Sequence, residues 1–131
     1  VPVTLISGAS AVVVNAWLGS RIGRLRHELK VSIGDGGQEP LIRRMRAQAN
    51  FIENAPIFLI LLGALELSGA NRIGLAGIAA IFFVARIAHA MGMDGGSSQP
   101  GRKYGIILSG LASIVLAIWA LVCAFRLILG G

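Results

Sequence analysis

At least three stretches of this chain run for about twenty residues with almost no charge, the length an α-helix needs to cross the hydrocarbon of a bilayer. In lipid every backbone N–H and C=O must be satisfied within the protein, so only helices and closed barrels span. The apolar runs here are continuous rather than alternating, which selects helices. Only 14% of the residues are charged, against about 25% in soluble domains, and the deficit falls in blocks. The sequence therefore predicts an all-α integral membrane four-helix bundle, one transmembrane domain over residues 1–131, with helices near 3–27, 40–68, 73–91 and 102–129.

Glycine, serine and proline mark the joints. Ser32 to Pro40 reads as a turn-rich loop, Gly69-Ala70-Asn71 as a short turn, and Gly92 to Gly101 as a second loop. The glycines at 34, 36 and 37 have neither the Walker spacing nor its lysine, so they do not read as a phosphate cradle. Pro56 falls inside the second helix, where it removes a backbone donor and favours a kink. Gly19 and Gly23 have the small-xxx-small spacing that lets a second helix approach closely. The first apolar run lacks a preceding basic segment and is followed by a basic cluster, so it is expected to stay as a helix rather than be cleaved as a signal. The lone Cys123 lies inside the last span and has no metal-ligand spacing around it; no metal site is expected.

The net charge of +6 is not a nucleic-acid footprint, because the basic residues flank apolar spans instead of forming a stripe with interleaved aromatics. Beside spans they record orientation and attraction to anionic lipid. Arg21, Arg24, Arg26, Lys30, Arg43, Arg44 and Arg46 flank the first loop, and Arg102 and Lys103 follow the last; the opposite side has Arg72 and Arg126. The expectation is that both basic loops face the cytoplasm and both termini the other side.

Two polar clusters interrupt the apolar pattern. On the second helix Arg46, Asn50 and Glu53 are spaced i, i+4, i+7 and share a face, with Glu53 about 10 Å along the axis from Arg46. On the third, Arg86 and His89 are spaced i, i+3. An ionised side chain at membrane depth costs roughly 2.5 kcal/mol or more, so such groups need a partner or a wet cavity. With Arg24, Arg26 and Arg102 toward the same side, the expected object is one polar cavity rich in guanidinium, which suits a ligand bearing carboxylates. Gln48 lies about 200° around the helix from Arg46. It is either a helix-contact residue or reaches a ligand held by a neighbouring subunit.

The string Arg46-Ala47-Gln48-Ala49-Asn50-Phe51-Ile52-Glu53-Asn54-Ala55-Pro56 resembles the helix-two motif of the MAPEG family, the membrane-associated proteins of eicosanoid and glutathione metabolism. Ala85-Arg86-Ile87-Ala88-His89 is similar to the helix-three motif of its prostaglandin-E synthases. The resemblance implies a homotrimer with glutathione bound between subunits. Arg46, Asn50 and Glu53 would hold glutathione, Arg86 and His89 would face it, and Gln48 and Arg26 would reach it from the neighbour, with Arg24 competing for the role of Arg26. Arg102 stands where the family places the arginine that activates the thiol. Asn54 and Met93 occupy positions where relatives often have tyrosines, which removes ring stacking and hydroxyl donors.

The resulting expectation is a glutathione-dependent membrane transferase, with peroxidase chemistry open to the same thiolate. The partners are glutathione, a lipophilic electrophile from the bilayer, membrane lipid and further copies of the chain. Two rivals stand beside it. One is a small proton-coupled exporter using Glu53, disfavoured by the strong Lys/Arg bias and the number of arginines. The other is a non-catalytic bundle that binds lipid or a protein partner.

Overall fold

A computed structural model describes residues 1–95 and 99–130. Four helices follow one another: α1 (Pro2–Leu29), α2 (Glu39–Leu67), α3 (Arg72–Asp94) and α4 (Pro100–Leu129), each long and apolar enough to cross a membrane. Proline stands in the first turn of α1, α2 and α4, where its missing N–H is no loss and its fixed φ suits the helix. Asn71 caps α3 by accepting from the Gly74 N–H at 2.9 Å. Lys30, left-handed at φ 56°, ends α1 by returning its N–H to the carbonyls of Arg26 and His27. Pro56 lies within α2, which runs through it as one helix.

The helices alternate in direction. At one end the start of α1 meets the end of α2, where Glu66 accepts from the backbone N–H groups of Val3 (3.0 Å) and Thr4 (2.7 Å) and from the Thr4 hydroxyl (2.7 Å). At the other end Asp94 of α3 receives Arg21 of α1 and Arg44 of α2, the latter at 3.4 Å. The Arg21 guanidinium also lies over the Trp17 ring, 4.9 Å from its centroid, and donates to the Ala90 carbonyl at 3.3 Å.

Between these ends the core is built from all four helices, with Val14 and Leu18 of α1 joining side chains of α2, α3 and α4. Phe58 stacks on Phe82 with ring centroids 4.0 Å apart, among the fully buried Leu62, Leu65, Leu75 and Leu116. Outward-facing apolar residues, such as Leu5, Val12 and Val13 of α1 and Leu111, Ile118 and Leu121 of α4, remain exposed on the chain, as expected of a lipid-facing surface. Because lipid is as apolar as leucine, what draws such helices together is close packing.

The closest packing is not at Gly19 and Gly23, as the spacing predicted. Gly23 faces open space, and Gly19 meets only the Gln48 amide, at 3.4 Å from an added Cβ. It lies instead on the α3–α4 seam. A Cβ added at Gly92 would fall 2.1 Å from the Arg102 nitrogen, at Gly105 2.6 Å from the Ala85 carbonyl oxygen, and at Gly101 2.8 Å from that of Ala88. This also explains two shifted ends. The sequence assigned Gly92 to Gly101 to a loop, with helix three ending near Met91 and helix four opening at Arg102. The structure carries α3 on to Asp94 and starts α4 at Pro100. These glycines serve contact between helices as well as the turn; Ser97 and its neighbours 96 and 98 lie outside the described residues.

Candidate functional site

The polar residues of α2 and α3 divide into an enclosed group and an open group. In the first, Arg86 is only 4% exposed. It donates through Nη2 to Asn50 Oδ1 of α2 and through Nη1 to Ser109 Oγ of α4 at 3.3 Å, tying three helices together. Ser109 in turn donates to the Gly105 carbonyl at 2.7 Å. Asn54 leans on the same asparagine, giving its amide to the Asn50 carbonyl at 2.7 Å and facing Oδ1 at 3.4 Å. No carboxylate pairs with Arg86 among the described residues, and its Nε has no partner. An amide and a hydroxyl can accept from a guanidinium, but they cannot neutralise it.

His89, one turn further along α3, is 3% exposed and pairs through Nδ1 with the Arg102 carbonyl oxygen at 3.2 Å. The carbonyl can only accept, so the ring proton sits on Nδ1. Arg102 itself is the third residue of α4, half-buried beside this seam.

In the open group, Arg46 and Glu53 are exposed on the outer face of α2, and neither has an ion pair among the described residues. The expectation of one cavity uniting all the polar residues is therefore not met within a single chain. The reason is angular. At about 100° per residue, Asn50 lies roughly 40° from Arg46 on the side of Ala47, Phe51 and Phe58, while Glu53 lies roughly 20° to the other side. Those three apolar residues are buried, so Asn50 reaches α3 and the two charged residues do not.

Gln48, beyond the buried face, donates to Asn15 of α1 at 3.1 Å, which is the helix-contact role. Arg26 turns to its own loop, donating to the Gly34 carbonyl and lying 3.7 Å from the Met45 sulfur; Arg24 is exposed.

The open position of Glu53 carries physical weight. It lies fourteen residues from each end of α2. At about 1.5 Å per residue that is roughly 21 Å from either end, less than the roughly 30 Å of a hydrocarbon core. Wherever a membrane covered by this helix sits along it, Glu53 is inside the hydrocarbon layer.

Three residues important to this framework were not singled out from the sequence. Ser109 looks like any small residue of an apolar span. Glu66 and Asp94 look like interfacial carboxylates, and their partners lie more than forty residues away along the chain.

A four-span bundle with an arginine buried between three helices and a charged strip on its second helix defines a polytopic membrane protein with an intramembrane polar site. Its family follows from comparison: the MAPEG family model matches residues 4–122, and the chain belongs to that family, as a membrane protein of glutathione and eicosanoid metabolism. No curated protein matches it.

Proposed function

We propose that this chain is a glutathione-dependent transferase that works in the membrane as a homotrimer and joins glutathione to lipophilic electrophiles arriving through the bilayer. The observation that carries this reading is Arg86, a buried guanidinium that, among the described residues, has no carboxylate beside it and no partner for its Nε–H. A charge so placed calls for an anion, and arginine binds carboxylates through paired donors. Glutathione supplies carboxylates at both ends and an ammonium at one. Arg86 and Arg46 would take carboxylate, Glu53 the ammonium, and Asn50 an amide of the backbone. Arg26 or Arg24 would come from the neighbouring subunit.

Association with further chains has its own physical support. An exposed carboxylate at hydrocarbon depth costs roughly 2.5 kcal/mol or more, and a second chain with a polar ligand at its boundary would relieve that cost. The Lys/Arg bias favours basic loops in the cytoplasm and both ends of the chain on the far side.

Arg102 would activate the thiol. The proton leaves for solvent as the guanidinium and the N-terminus of α4 stabilise the thiolate. The sulfur lone pair then forms the C–S bond, while the electrophile's leaving group departs with its bonding electrons. In proteoliposomes the protein should conjugate glutathione to a lipophilic aryl halide, and native mass spectrometry should show three chains. Absence of conjugation by folded trimers would remove the transferase reading, and a monomer or dimer would remove the assembly. Labelling of Ile33→Cys from outside the cell would reverse the orientation.

A further inference from the structure

We propose that His89 and Gly92 are positioning residues that fix the backbone of Arg102, so that its guanidinium is aimed before glutathione arrives. The proposal rests on the reading of Arg102 as the group that stabilises the thiolate. Three observations carry it. The His89 Nδ1–H donates to the Arg102 carbonyl at 3.2 Å. Gly92, one turn on along α3, lies so close that an added Cβ would be 2.1 Å from the Arg102 nitrogen and 2.9 Å from its Cα. Gly105, one turn into α4, lets the two helices close at His89, since its own Cβ would meet the His89 Cβ and backbone nitrogen at 2.6 Å. Both backbone faces of Arg102 are thus held by α3, one by a hydrogen bond and one by steric contact.

The anchoring has a chemical consequence for His89. With Nδ1 committed as a donor, the neutral ring offers only a lone pair at Nε2, which repels a carboxylate rather than binding it. His89 therefore acts through Arg102 and not as a carboxylate clamp. The far end of α3 is steadied by Asp94 between Arg21 and Arg44, which gives the anchor a fixed base.

The test uses full-length protein in nanodiscs, with His89→Phe, His89→Gln and Gly92→Ala. Without ligand, hydrogen exchange of the first turn of α4 should quicken in His89→Phe and Gly92→Ala and recover in part in His89→Gln, whose amide can still donate. With glutathione bound, ultraviolet titration of the thiolate should show an apparent pKa about one unit higher in His89→Phe, which is about tenfold in the ionisation equilibrium. The value of kcat at pH 7 should fall while the KM for glutathione stays within about twofold, since only the activated state is affected. Combining His89→Phe with Arg102→Ala should add no further shift. Unchanged exchange in folded His89→Phe and Gly92→Ala overturns the anchor. Changed exchange with an unchanged titration overturns its role in activation. If wild-type protein binds no glutathione, the site reading itself fails, and the exchange measurement still decides the anchor.

Discussion

The enclosed and open halves of the polar site are built on opposite principles. Around Arg86 every neighbour is fixed within one chain: Asn50 and Ser109 hold the guanidinium, Asn54 supports Asn50, and glycines let α3 and α4 close on one another. Around Arg46 and Glu53 nothing described is fixed, although a hydrocarbon core spanned by α2 would enclose Glu53. A buried, preorganised half lowers the cost of ordering a ligand. An open, charged half makes sense as a boundary that a ligand and another subunit complete.

The sharpest way to break this contrast is to remove the open charges. Glu53→Gln and Arg46→Ala should each weaken glutathione binding by about 2–5 kcal/mol, part of which is the ligand charge left unpaired. Calorimetry on protein whose helicity is intact by circular dichroism measures it. Unchanged affinity would place the ligand elsewhere and leave the open half as mere surface.

Arg102 lies on the α3–α4 seam, and its effect should fall on ionisation rather than affinity. An unperturbed thiol titrates near ~8.5, so about 3% is ionised at pH 7. A pKa lowered by about two units, worth about 2.7 kcal/mol, raises the thiolate to about three quarters. The sign follows: Arg102→Ala should lose most of its rate near pH 7 and recover it as pH rises through the higher pKa. A pH–rate profile like that of the wild type would make Arg102 an interfacial anchor.

Smaller effects probe the enclosed half. Gly105→Ala introduces a Cβ 2.6 Å from the Ala85 carbonyl oxygen and should destabilise the bundle by about 1–3 kcal/mol, seen as earlier unfolding in detergent. Smallest of all, Glu53→Gln in detergent-diluted single chains should change unfolding by less than about 0.5 kcal/mol, because no intrachain partner is lost. A large change there would mean that the open half is held within the chain after all.

Much of this was legible in the sequence, and the part that was not has a physical cause. The four helices follow from apolar runs bounded by proline and charge, and the ends of α1 and α2 follow to within two residues. The motif on α2 was legible as a strip, but helical spacing alone did not say which edge of the strip turns inward. That depends on where Ala47, Phe51 and Phe58 meet α3 and α4. Gly92 and Gly101 read as loop signals, because a glycine needed for close approach and one needed for a turn are the same letter. Glu66 and Asp94 were illegible for another reason. Their meaning lies in partners at the far end of a different helix, Thr4 for one and Arg21 for the other.

The measurement that bears most directly on the whole account is calorimetric titration of the wild-type protein in nanodiscs with glutathione. The account predicts saturable binding at one glutathione per chain, weakened by added salt, because guanidinium–carboxylate pairs at a partly open site are screened. It also predicts that Arg86→Met, which keeps much of the buried volume but removes the charge, abolishes the heat. A folded wild-type protein that gives no binding heat at millimolar glutathione, or an Arg86→Met variant that binds as the wild type does, would contradict it.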